Sequence, residues 1–342
     1  MKEKLLEIIQ AGAIGDAFGY QVEFDKIDTI KQKYGIFGIK YEESNLEKDA
    51  SDDTQMTLFL WDAIIKYIKN NEVYDEKSFT KEVHKSFMEW FSTQTHHPVY
   101  SSEFAISNSS ILSNEELFKR QAPGATCLSA LSTNTARSTV KKINDSKGCG
   151  SVMRVAPLLL LKEHYKLTNE ALFVASMNQA AITHGNDEGM AATSFFTIIL
   201  EELKNQKSVD EAYHIALNLT YKLKPNKFSS YIESVYKKAQ EPNLLKENDL
   251  TDQIGEGWIA DEAVGVALYC AVKAQSFAHC LELSSNHSGD SDSTASMAAQ
   301  LYVAKNGLDE KDILFKTDLD NVIISLKNKT DNINIKTVFK RI

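Results

Sequence analysis

Residues 288–294 read Ser288-Gly289-Asp290-Ser291-Asp292-Ser293-Thr294, and the small-residue run Ala295-Ser296-Met297-Ala298-Ala299 follows them. Two carboxylates one residue apart, interleaved with hydroxyls and leading into good helix formers, describe a turn whose oxygens gather at a helix N-terminus. The unpaired amides and positive dipole end there favour ionised aspartate, so the oxygens are offered to a hard cation such as Mg²⁺, Mn²⁺ or Ca²⁺. The plainer reading is a capped turn, since Asp and Ser are common N-caps. An EF-hand is excluded, because a loop starting at Asp290 would need glycine at Ala295 and a bidentate glutamate at Leu301. A second cluster of the same kind, Ser51-Asp52-Asp53-Thr54, opens another helical pattern far upstream and strengthens the cation reading.

The two clusters must meet in space to act together, and the rest of the chain is consistent with that. Apolar residues at three- and four-residue steps over 2–20, about 57–70, 77–92, 168–183, 187–204 and 294–305 predict helix after helix. There is no Pro/Gly-rich linker and no βαβ alternation, so the expected architecture is all-α, one multi-helix domain over 1–342 with its motifs within 12–305. Residues 306–342 form a C-terminal extension in which Val322, Ile323 and Leu326, then Ile333, Ile335, Val338 and Phe339, suggest one more helix and a short extended tail.

Composition removes several function classes. The chain has 342 residues, 43% hydrophobic and 25% charged, with a net charge of −9 and pI near 5.5, which gives no support to a broad nucleic-acid surface. Cys127, Cys149, Cys270 and Cys280 lack CxxC spacing and read as reduced, buried thiols. The opening MKEKLLEIIQ makes a poor signal peptide and no window has the apolar length of a membrane span, so a cytoplasmic location is expected.

Outside the acidic clusters lie further candidates. Gly12, Gly15 and Gly19 share a helix face and would admit a close backbone. Glu23, set among Val22 and Phe24, is costly to bury unless a cation or donor meets it. The loop Arg120 to Cys127 leads into a helix carrying Leu128 and Leu131. Ser146-Lys147-Gly148-Cys149-Gly150-Ser151-Val152-Met153-Arg154 could turn backbone amides toward an anion, with a helix expected to start near Ser151. His184 could donate to a sugar hydroxyl or cap the helix after it. His96 and His97 read as turn residues. Glu262 stands at the start of a nearly all-apolar helix.

Seven blocks, GDAFGYQVEF (15–24), SDDTQM (51–56), RQAPGATCLSAL (120–131), GCGSVMRVAP (148–157), ITHGNDEG (182–189), IGEGWIADEA (254–263) and HSGDSDST (287–294), together resemble the ADP-ribosylglycohydrolase family. The resemblance implies an orthogonal all-α fold around two Mg²⁺ or Mn²⁺ ions with ADP-ribose bound across them. Position by position, it places metal ligands at Ser51, Asp52, Asp53, Asp290, Asp292 and Ser293, with serine where many relatives have threonine at the first and last. Glu23 matches the family's mobile glutamate. The loop Ser146, Lys147, Gly148, Cys149, Gly150, Ser151, with Met153 and His184, matches the substrate-binding stretch, and Lys147 stands where several relatives carry an aromatic residue.

The implied activity is removal of ADP-ribose from modified protein side chains, arginine-linked first. Glu23, Asp52 and Asp53 are then the candidates to activate water or steady an oxocarbenium-like state. The alternatives are an ADP-ribose-binding or immunity-type protein that blocks a partner ADP-ribosyltransferase, and a hydrolase of another ADP-ribosyl small molecule. The expected partners are an ADP-ribosylated protein and a cognate transferase, with no nucleic acid, no membrane and a monomeric state.

Overall fold

The computed structural model describes residues 2–43, 46–95, 111–135 and 137–333, and all structural statements below concern these. In chain order they form α1 (Lys2–Gly19), α2 (Ile27–Tyr34), α3 (Asp52–Asn70), α4 (Glu76–Thr95), α5 (Ala125–Ser132), α6 (Leu158–Tyr165), α7 (Asn169–Ala181) and α8 (Asp187–Lys204). There follow α9 (Val209–Leu223), α10 (Lys227–Gln240), α11 (Glu247–Gln253), α12 (Ala260–Lys273), α13 (Phe277–Ser285), α14 (Ser291–Asn306) and α15 (Asp320–Asp331). Strand pairing among the described residues amounts to two isolated bridges, Lys48 with Thr317 and Gly148 with Ile259. The fold is all-α, and one continuous apolar core runs through it from Leu5 to Ile333.

The centre of the bundle is α14. Almost all of it is buried, which its alanines and serines permit because they add little bulk on any face. It packs on α1, α8, α12 and α13, and its contact with α1 is the most extensive in the molecule. Glycine makes that contact possible: a Cβ at Gly15 or Gly19 would run into the backbone of Ala295 and Ser291. Close packing of the two helices fixes the height of Asp292 and Ser293 relative to α1.

The start of α3 is fixed by α1 as well. Ser51 caps it by accepting from the Asp53 amide at 3.2 Å. Asp16, fully buried on α1, accepts from the Ser51 amide at 2.9 Å, the Thr54 amide at 3.0 Å and the Thr54 hydroxyl at 2.5 Å. These bonds satisfy amides that a helix start leaves open. Both acidic helix starts are therefore seated against α1.

The C-terminal segment reaches the same place. Lys48 donates its amide to the Lys316 carbonyl at 2.9 Å, and Asp318 returns its amide to the Lys48 carbonyl at 3.1 Å. The Asp318 carboxylate accepts from the Ala50 amide at 3.0 Å and from Lys119 Nζ at 2.9 Å. Residues 316–318 thus strap down the approach to Ser51.

Several expectations need adjusting. The helix expected near Ser151 is a 3₁₀ turn, Cys149–Ser151, and the α-helix begins only at Leu158. Pro157 explains the delay, since it disfavours helical backbone in the residue before it and is suited to the entrance of a helix. The helix expected over 77–92 runs to Thr95. His96 and His97 lie outside the described residues, as do Ile335, Val338 and Phe339.

Candidate active site

The two acidic clusters, 240 residues apart in sequence, meet. Ser293 Oγ donates to Asp53 Oδ2 at 2.7 Å, joining the first turn of α14 to the first turn of α3. Asp52 Oδ2 accepts from the Gly124 amide at 3.2 Å, which ties the 120–124 loop to the same corner. Glu23, Asp290 and Asp292, all buried, each bring one carboxylate oxygen within 4.8 Å of the others. Asp290 occupies the N-cap position of α14 without capping it, and its Oδ2 is buried with no hydrogen-bond partner. The plain capped-turn reading therefore fails at Asp290, although Ser51 does cap α3. Glu23 Oε2 is also buried without a partner.

Electrostatics point the same way. Burial first, then repulsion from Asp292, raises Asp16 to about 7 and Glu23 to about 10. Burial likewise raises Asp53 and Asp290, with Asp292 next in effect, and Asp52, where the Gly124 amide pulls back. Buried carboxylates of this density are stable only if protons or cations neutralise them. Unpartnered oxygens, hard carboxylate and hydroxyl donors and uncompensated charge all fit divalent cations such as Mg²⁺ or Mn²⁺. Of the six expected ligand residues, Asp52, Asp53, Asp290, Asp292 and Ser293 face the cleft. Ser51 lies fully buried beneath it, its hydroxyl engaged in the helix cap.

Above the acids lies a cleft of about 590 Å³, walled by Glu23, Phe24, Arg120, residues 122–127, Gly148, Cys149, Gly150, Met153, His184 and Trp258. Part of the expected anion loop faces it and part does not. The Gly148 and Cys149 amides donate to Ser146 Oγ at 3.3 Å and to the Trp258 carbonyl at 3.1 Å, so they are used within the protein. The Ser146 hydroxyl pairs with Thr126 at 3.1 Å, and Ser151 is buried against Thr193 at 3.0 Å. Lys147 Nζ is held by Glu188 at 2.8 Å and Asp261 at 2.9 Å, outside the cleft wall. Cys149 and Asp290 line the same cleft, and the acid, after burial, helps to raise the Cys149 thiol well above its ordinary value.

His184 faces the cleft and does not cap α8; Asn186 does, accepting from the Glu188 amide at 2.9 Å and the Gly189 amide at 3.2 Å. Burial first and then the Arg154 charge lower His184 to about 3, so the ring is neutral near pH 7. Fully buried Arg154 donates to Thr183 Oγ1 at 2.8 Å, and that hydroxyl lies 2.8 Å from His184 Nδ1. A guanidinium can only donate, so the Thr183 hydroxyl accepts from Arg154 and, through its contact with Nδ1, fixes the orientation of the ring, whose Nε2 lies beside Gly148. His184 is thereby held with its Nε2 edge beside Gly148 in the cleft lining.

Reasoning from the sequence missed Asp16, Arg154, Thr183 and Asp318 as supports of the site. Asp16 carried the one available signal, an acid on the apolar helix of the GDAFG block.

Fold and site together define an all-α protein with a buried, cation-ready acidic floor beneath a ligand-sized cleft. The family model described as ADP-ribosylglycohydrolase matches residues 1–313, and the chain belongs to that family. A solved structure titled ADP-ribosylglycohydrolase-related protein complex aligns with a TM-score of 0.61 at 17% identity, covering 96% of this chain and 98% of that one. At that identity the likeness bears on the fold alone. No curated protein matches the sequence. Among the described residues, no helix is long and apolar enough to cross a membrane.

Proposed function

We propose that this chain hydrolyses the glycosidic bond between the distal ribose of ADP-ribose and a protein side chain, arginine-linked before serine- or threonine-linked, with two Mg²⁺ or Mn²⁺ ions at the acidic floor. The observation that carries this is the junction of the Asp52–Asp53 and Asp290–Ser293 helix starts, with Glu23 beside them and buried oxygens of Glu23 and Asp290 left without a hydrogen-bond partner. Divalent ions bound there would neutralise the carboxylates, orient the ribose hydroxyls and lower the pKa of an attacking water.

The chain's own residues account for the remaining demands of the reaction. Asp52, Asp53, Asp290, Asp292 and Ser293 hold the ions. Glu23, raised to about 10 without them by burial and the surrounding acids, becomes ionised as that charge is neutralised, and can then take a proton from water or steady the oxocarbenium-like state. The neutral His184 ring offers its Nε2 edge as a hydrogen-bond partner to a hydroxyl of the ADP-ribose, while Met153 and the Gly148–Gly150 backbone shape the wall. An ADP-ribosylated protein is the proposed partner, acting on a monomer. Purified protein incubated with Mg²⁺ and arginine-, serine- and threonine-linked ADP-ribosyl peptides tests the reading. Release of ADP-ribose supports it; binding of ADP-ribose without turnover on any of the three overturns it.

A further inference from the structure

We infer that Phe24 and Trp258 form the subsite for the acceptor side chain and select a planar cation, the guanidinium of a modified arginine; this rests on the hydrolase reading above. The two rings are the aromatic residues at the mouth of the cleft, and both are open to solvent, at 73% and 39% exposure. They lie nearly parallel, at 18°, with centroids 6.1 Å apart. Exposed rings of this size are unfavourable in water unless something covers them.

Their attachment places them at the reacting end. Phe24 follows Glu23 directly in the chain, and Glu23 belongs to the buried acid cluster. Trp258 accepts the Cys149 amide at 3.1 Å on its carbonyl, and a Cβ on its neighbour Gly257 would lie 3.4 Å from Asp290 Cβ. The loop that carries Trp258 is fixed by Glu262, whose carboxylate accepts from the Glu256 and Gly257 amides at 3.1 and 3.3 Å. The Glu256 carbonyl in turn accepts the Asp290 amide at 2.8 Å. Both rings thus stand within one side chain of the acids that would hold the distal ribose, where the acceptor leaves. The adenine is separated from that point by a diphosphate and a second ribose. A guanidinium laid on either ring gains cation–π attraction and apolar contact for its flat face, and the exposed Glu256 adds opposite charge. A serine or threonine acceptor presents no planar cation to these rings.

The test compares wild type, Phe24→Leu, Trp258→Leu, the double variant and Trp258→Phe. For each, KM is measured on an ADP-ribosylarginine and an ADP-ribosylserine peptide with Mg²⁺, and Kd is measured for free ADP-ribose. The double variant is expected to raise KM for the arginine-linked peptide by about tenfold, the scale of two partly exposed cation–π contacts. KM for the serine-linked peptide and Kd for ADP-ribose stay within about twofold of wild type, and Trp258→Phe recovers most of the loss. Both rings are exposed, and an unchanged ADP-ribose Kd also certifies the folded state. A matching loss of ADP-ribose affinity would instead assign the rings to the adenine and overturn the inference. So would an unchanged arginine KM, or a wild type that prefers the serine-linked peptide. A wild type that cleaves neither of these peptides nor the threonine-linked one sinks the hydrolase reading and this inference with it, and is thereby distinguished from the outcomes that sink only this one.

Discussion

Replacing Gly19 with alanine should damage the site from outside it. The added Cβ would stand 2.7 Å from the Asp292 amide nitrogen, against an ordinary contact of about 3.5–4.0 Å. The obstacle is helix backbone, so relief requires α14 to recede by about 1 Å. Overpacking of this kind costs about 1–3 kcal/mol, only partly offset by the roughly 1 kcal/mol that alanine gains over glycine inside a helix. With an unfolding entropy of about 2.1 cal/mol/K per residue, even the upper net of about 2 kcal/mol lowers Tm by only about 3 °C in a chain of this length. The larger effect is expected at the metal site. A 1 Å retreat lengthens the 2.7 Å Ser293–Asp53 hydrogen bond beyond bonding range and exceeds the roughly 0.2 Å tolerance of metal–ligand distances. Mn²⁺ affinity should fall by about ten- to a hundredfold. Gly12→Ala is the control, because its Cβ meets only the end of the flexible Gln300 side chain, at 2.6 Å. Calorimetric melting and Mn²⁺ titration read both effects. A Gly19→Ala protein that binds Mn²⁺ within threefold of wild type would refute the claim that α1–α14 packing sets the site.

Asp53→Ala and Asp292→Ala should each abolish metal binding and lower turnover at least about a hundredfold, and activity within a few-fold of wild type would remove these residues from the proposed site. Asp16→Ala orphans the Ser51 and Thr54 amides, at about 1–3 kcal/mol for each donor left unsatisfied, and should weaken Mn²⁺ binding although Asp16 holds no ion; an unchanged melting curve and Mn²⁺ isotherm would contradict that. The metal-free protein should lose stability as pH rises. Burial and Asp292 raise Asp16 to about 7 and Glu23 to about 10, so the folded state keeps protons that the unfolded chain releases near pH 4. This stabilisation is complete below about pH 4 and drains away as pH rises through 7 toward 10. In EDTA, Tm should fall between pH 5 and pH 8, and excess Mg²⁺ should restore most of it; a Tm that climbs over that interval in EDTA would tell against the buried acid cluster.

The acids were legible in the sequence because helix-start chemistry is local. Ser51, Asp52 and Asp53 announce α3, and Asp290 to Ser293 announce α14, within a few residues of each. The glycine steps at 12, 15 and 19 foretold a close backbone, which at Gly15 and Gly19 proved to be that of α14, while Gly12 meets the Gln300 side chain. Supports acting across the fold were not legible. Asp16 acts on residues 35 and 38 positions away, and Asp318 on one 268 positions away, and no spacing in the chain signals such pairing. The resemblance placed Lys147 in the substrate-binding stretch, yet the acids that occupy it, Glu188 and Asp261, come from the starts of α8 and α12. The short helix α2 offers only two turns of pattern and was not singled out, nor were α9, α10, α11 and α13, while α6, expected near Ser151, is delayed by Pro157.

The account rests on the α3 and α14 helix starts sharing a pair of ions, and Mn²⁺ loading followed by electron paramagnetic resonance tests this most directly. It predicts two Mn²⁺ per chain with spectra of a spin-coupled pair, lost together in either Asp53→Ala or Asp292→Ala. Two uncoupled ions, or loading that survives both substitutions, would contradict it.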